Sequence, residues 1–119
     1  MKKRRTLIVG LLVILILGCV SAVYASTLAV SVYPQITFSN NTATCCGEVD
    51  SDNPTDAITV TMALWRGTTK IDEWSDSGTG NVVLNESTSV TRYRTYRLVI
   101  DYTINGVPKP TVSIEKNYG

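Results

Sequence analysis

The stretch that most constrains the fold of this chain runs from Tyr96 to Ile104, where large apolar side chains recur at every second position. Successive side chains of a β-strand point to opposite faces of a sheet, so this alternation predicts a strand with one apolar face. The predicted inner face is Tyr96, Leu98, Ile100, Tyr102 and Ile104, and the outer face is Arg97, Val99, Asp101 and Thr103. An apolar wall of this kind has to pack against a second layer.

Short apolar runs separated by turn residues supply that second layer and predict about seven strands in all, spaced roughly ten residues apart. The other predicted strands cover residues 28–38 (interrupted at Pro34), 43–49, 58–65, 70–75, 82–90 and 112–114. Residues 76–81 are predicted to form a loop because they are polar and rich in glycine. No helix is predicted after residue 25, because the apolar residues there lack helical spacing.

Many short strands with regular turns are typical of a β-sandwich. Tyr96 stands two residues before Leu98, where immunoglobulin-type sandwiches carry a buried tyrosine whose hydroxyl bonds to upstream backbone. Leu98 occupies the place of the second cysteine of the antibody disulfide, so no such disulfide is predicted. The predicted fold is therefore a single all-β, immunoglobulin-like sandwich over residues 26–119.

The N-terminal segment resembles an export signal, with four cations followed by an apolar run from Leu7 to Val20. Cleavage before Ser26 would release a secreted domain. Two alternatives stay open: a lipobox ending in Cys19, which would then be acylated, and an uncleaved segment long enough to anchor the chain in a membrane. All three place the remaining chain outside the cytoplasm.

Removal of residues 1–25 takes away four of the eleven cations and none of the ten acids, leaving a net charge of about −3. No basic patch typical of nucleic-acid binding is evident, and a nucleic-acid partner is not predicted. About 94 residues remain, which suffices for one domain.

Four short motifs also resemble a known family: Ala43-Thr44-Cys45-Cys46-Gly47, the strand from Ile58 to Leu64, the turn from Trp74 to Gly78, and Tyr96-Arg97. They are similar to segments of small signal-bearing proteins of Gram-positive bacteria that are grouped as a domain of unknown function. The resemblance implies export and a sandwich fold. It implies no catalytic residue, because the family has none to transfer.

Cys45 and Cys46 are adjacent, and consecutive Cα atoms about 3.8 Å apart are too close for an unstrained disulfide. The parity of this strand predicts that Cys45 is a small core residue and that Cys46 is a surface thiol. A redox-active bond between the two, or an intermolecular disulfide through Cys46, are the alternatives.

The chain contains no histidine, which excludes the Ser-His-Asp and Cys-His arrangements and a histidine-containing zinc site. The adjacent carboxylates Asp72 and Glu73 are predicted to face opposite sides of a strand, so a catalytic pair is not expected. Asp50, Asp52, Asn53 and Asp56 have oxygens suited to calcium, but Pro54 interrupts the spacing of an EF-hand loop, and an ordinary loop is preferred. No catalytic residue, metal or cofactor is therefore predicted.

Binding is the remaining class of function, and Trp65 is the first candidate because it falls on the outer face of a central strand. Arg97 is its predicted neighbour on the strand that runs from Tyr96. An aromatic ring beside a cation suits an extracellular polysaccharide or protein partner. The alternative is that neighbouring strands cover Trp65. The sequence therefore predicts an exported, non-enzymatic binding or structural module at or outside the cell surface, with an enzyme of unrecognised type as a further alternative.

Overall fold

The computed structural model describes residues 29–119, and the predicted export signal with its candidate acylation site Cys19 lies outside them. The described chain is all-β, with eight strands. These are β1 (Val30–Ser39), β2 (Thr42–Ser51), β3 (Ala57–Arg66), β4 (Thr69–Thr79), β5 (Asn81–Ser89), β6 (Arg94–Ile104), β7 (Val107–Pro108) and β8 (Val112–Tyr118). Residues 29–119 contain no helix of the length and apolarity needed to span a membrane.

The strands form two antiparallel sheets that pack face to face. The three-stranded sheet has the order β1-β2-β5, and the five-stranded sheet has the order β4-β3-β6 with β7 and β8 both paired to β6. Immunoglobulin-type sandwiches divide their first, second and fifth strands from their third, sixth and last strands in this way. Here β4 pairs with β3, as the additional strand of variable-type domains does. The predicted immunoglobulin-like sandwich is confirmed.

Three two-residue turns set the register of the hairpins. Asn40 and Asn41 both have positive φ, as do Asn105 and Gly106, and such pairs favour the turns that match the twist of a hairpin. Between β3 and β4 the positive φ is at Gly67, the first of the two turn residues. Asparagine and glycine tolerate this backbone conformation, so the local sequence favours each turn.

The core lies between the sheets and consists of the residues that the alternation places inward. Tyr96, Leu98, Ile100 and Ile104 of β6 are buried, while Tyr102 is half-buried against the same cluster. The opposing layer and β3 contribute Ile36, Ala43, Cys45, Val49, Ile58, Val60, Met62, Leu64, Val82, Leu84 and Val90. The predicted inner face of β6 is confirmed.

The predicted tyrosine corner is also confirmed. The Tyr96 hydroxyl donates a hydrogen bond to the carbonyl oxygen of Thr91 (3.0 Å) and accepts one from the Thr91 amide (2.8 Å). The ring is buried in the core, so its hydroxyl ties the loop between β5 and β6 to the interior. The residues that follow Thr91 are therefore held at a defined place at one end of the sandwich.

Several strand boundaries were predicted wrongly: β8 continues to Tyr118, β7 was not predicted, and β5 begins at Asn81. Two further differences have a clear physical reason. Pro34 does not interrupt β1, which continues through it opposite Gly47, because an edge strand tolerates a residue that lacks a backbone donor. Residues 76–79 are not a loop: β4 continues to Thr79, since the edge of β3 supplies backbone partners along its whole length.

Ile71 and Trp74 are three positions apart, so a regular strand would point them to opposite faces. A β-bulge in β4 explains why both face the core. Trp65 pairs with Lys70 and Leu64 pairs with Asp72, which leaves Ile71 as an extra residue in β4. Ile71 and Trp74 are both half-buried and both pack against the core. The bulge therefore places on one face two side chains that are three positions apart and would face opposite sides of a regular strand.

Candidate functional site

Trp65 lies near the end of β3, on the outer face of the five-stranded sheet. Its register partners are Lys70 on β4 and Arg97 on β6, so one cation lies on each side of it across the sheet. Trp65 is half-buried and both cations are exposed. The structure therefore brings the two predicted ligand-surface residues, Trp65 and Arg97, into direct proximity.

The two cations interact with the indole ring. Lys70 Nζ lies 5.5 Å from the ring centroid and Arg97 Cζ lies 6.0 Å from it. Contacts of this kind are worth about 0.5–1 kcal/mol each at exposed sites. We call the three residues the Trp65 surface. It presents an aromatic ring held between two positive charges and accessible from solvent.

Lys70 is the part of this surface that the sequence analysis missed. A two-residue turn at Gly67-Thr68 pairs Arg66 with Thr69 and Trp65 with Lys70, so counting outward from the turn would have found it. Lys70 also forms an exposed ion pair of 3.1 Å with Glu73. Exposed pairs of this kind are weak, so Glu73 does not prevent Lys70 from meeting a ligand.

Beyond the Trp65 surface the same outer face is lined with hydroxyl groups. Thr61 on β3 is within hydrogen-bond distance of Ser75 on β4 (3.1 Å), and Thr59 is within that distance of Thr103 on β6. From Trp65 to Thr59 the strand advances by about 20 Å, at roughly 3.3 Å per residue. The outer face therefore runs from an aromatic ring, past Ala63 and Val99, to the hydroxyl groups of two further rows.

Cys45 and Cys46 lie on opposite faces of β2, in the three-stranded sheet and away from the Trp65 surface. Cys45 is buried, and burial raises the pKa of its thiol to about 11, with a smaller contribution from the charge of Asp72. Cys46 is partly exposed between Gln35 and Asn85 of the flanking strands. The predicted faces of both residues are confirmed, and an intermolecular disulfide through Cys46 stays a prediction.

The acidic loop before β3 uses its side-chain oxygens to hold its own structure. Asp52 accepts a hydrogen bond from the Ala29 amide, and Asn53 accepts two from Thr55. Asp56 accepts hydrogen bonds from the Ser51 hydroxyl and from the side chain of Asn105, and Asp50 accepts one from the side chain of Asn81. These oxygens are directed at different donors. In the described part of the chain, no three His, Cys, Asp or Glu side chains are grouped so as to hold a metal ion.

No family model matches the chain and no curated protein matches it, so membership of the family described above stays a prediction. Among solved structures, the chain is similar to OgpA from Akkermansia muciniphila, a catalytically inactive form in complex with an O-glycopeptide substrate. The identity is 11%, the TM-score is 0.52, and the match covers 80% of this chain but only 30% of OgpA.

The sensor domain of the anti-sigma factor RsgI4 from Pseudobacteroides cellulosolvens is similar over 80% of this chain and 99% of that domain, at 11% identity and a TM-score of 0.47. Wild-type OgpA gives 14% identity and the same TM-score. At identities this low, a structural likeness bears on the fold alone.

Proposed function

We propose that this protein is an exported, non-enzymatic binding module that holds a polysaccharide on the outer face of its five-stranded sheet. The observation that carries the proposal is the Trp65 surface, where an accessible indole ring stands between Lys70 and Arg97. Such a ring offers a flat apolar face beside donors for hydrogen bonds. Export rests on the cationic and apolar N-terminal segment, which resembles a signal peptide.

The distribution of apolar residues supports a surface site rather than an enclosed one. Most large apolar side chains of the described residues pack in the core between the sheets. A ligand would therefore contact an outer face or the loops. Beyond Trp65 the same face carries the hydroxyl groups of Thr61, Ser75, Thr59 and Thr103. Such a row of hydroxyl groups suits an extended chain of sugar units. A polysaccharide therefore fits this face better than a compact small molecule does.

The test compares wild type with Trp65→Ala on an array of cell-surface polysaccharides. Trp74→Ala is the matched control, because Trp74 packs against the core rather than standing on the outer face. We expect Trp65→Ala to stay folded by circular dichroism and to lose binding. Trp74→Ala is expected to lower stability while the protein that remains folded still binds.

Three results would overturn the proposal. Retention of every captured ligand by folded Trp65→Ala would make the tryptophan structural. Capture of a protein but of no glycan would replace the polysaccharide with a protein partner. Hydrolysis of a captured polysaccharide by the wild type would show that the module is an enzyme.

A further inference from the structure

The charged side chains of residues 29–119 are distributed unequally between the two ends of the sandwich. One end, which we call the cationic end, is formed by turn 40–41, turn 67–68, loop 90–93 and the C-terminal residues. Backbone bonds from Val90 to Asn41 and from Tyr93 to Tyr118 join three of these segments, and turn 67–68 lies at the same end because Trp65 pairs with Arg97 near the start of β6. The opposite end, the acidic end, contains loop 51–56, the turn at Gly80 and the turn at Asn105.

The half of the sandwich at the cationic end holds six of the seven side-chain cations of residues 29–119 and four of the ten side-chain carboxylates, for a net side-chain charge of +2. The half of the sandwich at the acidic end holds one side-chain cation and six side-chain carboxylates, for a net side-chain charge of −5. The six cations are Arg66, Lys70, Arg92, Arg94, Arg97 and Lys116, and the one cation of the other half is Lys109. A molecule with an overall negative charge therefore presents a positive end.

The arginines of the cationic end have no carboxylate partner within the described chain. Across residues 29–119, the one pair of opposite charges within ion-pair distance is Lys70 with Glu73. A guanidinium group presents five N–H donors in a planar fork that fits carboxylate, sulfate and phosphate groups. Arg94 also donates a hydrogen bond to the Tyr93 carbonyl oxygen (3.3 Å), and no carboxylate lies within ion-pair distance of any of the four arginines. Four arginines without a carboxylate partner at one end of a domain suit an anionic ligand.

Loop 90–93 holds one of these arginines in place beside two aromatic rings. Arg92 Cζ lies 5.2 Å from the Tyr93 ring centroid and 5.8 Å from that of Tyr118. Tyr93 is 71% exposed and has a φ of 65°, a left-handed conformation that non-glycine residues adopt at a cost of about 1–2 kcal/mol. The loop therefore keeps a large ring in solvent in an unfavourable backbone conformation, an arrangement found most often at functional sites.

We propose that the cationic end binds an anionic polysaccharide, with Arg92 contacting its acidic groups and Tyr93 contacting its sugar rings. This inference rests on the proposed function and names the class of its ligand. The Trp65 surface adjoins the same end, because Trp65 is one residue from the end of β3. An anionic glycan seated there meets aromatic rings and cations in alternation.

An acidic peptide is the alternative polyanion, and the geometry disfavours it. Clusters of arginines recognise acidic peptides as well as other anions, and other peptides bind by adding a strand to a sheet edge or by laying a helix in an apolar groove. β8 is an edge strand that finishes at the cationic end, but Arg92 and Tyr93 lie in the loop between β5 and β6 and belong to no strand or helix. The arginines suit either ligand, and the exposed ring of Tyr93 beside Arg92 favours charged sugars.

The experiment measures binding of the full chain to dextran sulfate, with neutral dextran and poly-glutamate as comparison polymers. Arg92→Gln and Lys109→Gln are matched variants, since each removes one cation, the first from the cationic end and the second from the acidic end. We expect Arg92→Gln to weaken dextran sulfate binding about fivefold and Lys109→Gln to change it less than about twofold. Wild type should bind neutral dextran and poly-glutamate at least about tenfold more weakly.

Tyr93→Asn is the second variant, and it is chosen so that a loss of binding cannot be attributed to a loss of folded protein. Asparagine tolerates the left-handed conformation, as Asn40, Asn41 and Asn105 do in this chain. We expect its midpoint of thermal unfolding to equal or exceed that of the wild type while dextran sulfate binding falls.

Equal weakening by Arg92→Gln and Lys109→Gln would show that only net charge matters, which overturns the assignment to the cationic end. Equal binding of poly-glutamate or of neutral dextran would overturn the anionic polysaccharide. If Trp65→Ala abolishes polysaccharide binding while Arg92→Gln and Tyr93→Asn leave it intact, the proposed function stands and this inference fails. If none of the three variants weakens binding, both fail.

Discussion

Replacing Tyr96 with phenylalanine tests the interaction that joins the core to the cationic end. The substitution keeps the buried ring and removes its hydroxyl, which donates to the Thr91 carbonyl and accepts from the Thr91 amide. It therefore leaves packing unchanged and deletes two hydrogen bonds to one residue. Arg92 follows Thr91 directly, so the substitution also loosens the start of the segment that carries the proposed contacts.

Each hydrogen bond contributes about 0.5–1.5 kcal/mol to stability, so two together amount to about 1–3 kcal/mol. The lower part of this range is favoured, because Thr91 is exposed and water can replace part of what is lost. For a domain of this size a loss of 1 kcal/mol lowers the midpoint of thermal unfolding by about 4–8 °C. We therefore expect Tyr96→Phe to unfold about 5–15 °C below the wild type.

Tyr102→Phe is the matched control. Tyr102 lies on the same face of β6 and is half-buried against the same core. Thermal unfolding followed by circular dichroism compares the two variants, and dextran sulfate binding is measured well below both midpoints. Equal unfolding midpoints for the two variants would refute the argument that the hydroxyl of Tyr96 stabilises the fold through Thr91.

Three further predictions concern side chains whose faces the alternation assigns. Leu98→Ala is expected to cost about 2–5 kcal/mol of unfolding free energy, because Leu98 is fully buried, whereas Val99→Thr on the outer face should cost much less; equal losses in urea unfolding would contradict the assigned faces. In the folded protein a bulky maleimide should modify Cys46 and not Cys45, and peptide mass mapping would expose the reverse pattern. The raised pKa of Cys45 means that the folded state keeps its thiol proton between pH 9.0 and about 11 while the unfolded chain loses it, so stability should fall over that window and the fall should be smaller in Cys45→Ala.

The strand faces and the turns were predictable from the sequence, because both depend on residues close together in the chain. The two-residue period from Tyr96 to Ile104 separated Leu98 from Val99, and the same period separated Cys45 from Cys46. A one-residue shift of a strand would move its apolar side chains into water, so the burial of one face sets the register. The place of Tyr96 before Leu98 likewise predicted the tyrosine corner.

Strand lengths were less predictable, because they depend on what lies alongside. Residues 76–79 have the composition of a loop, but the neighbouring strand β3 supplies hydrogen bonds that their composition does not reveal. Pro34 would disrupt a central strand, and only the strand order showed that β1 is an edge. Partners distant in sequence decided both cases.

The candidate site shows the same division. Trp65 and Arg97 were predicted to face solvent on two central strands, and the sequence alone indicated an aromatic residue and a cation on an outer face. Their contact, and the gathering of Arg66 and Arg92 at one end, depend on antiparallel pairing and on which turns meet. Side-chain alternation is local and can be read from the chain, whereas the distribution of charge over a surface is set by the tertiary arrangement of segments far apart in sequence.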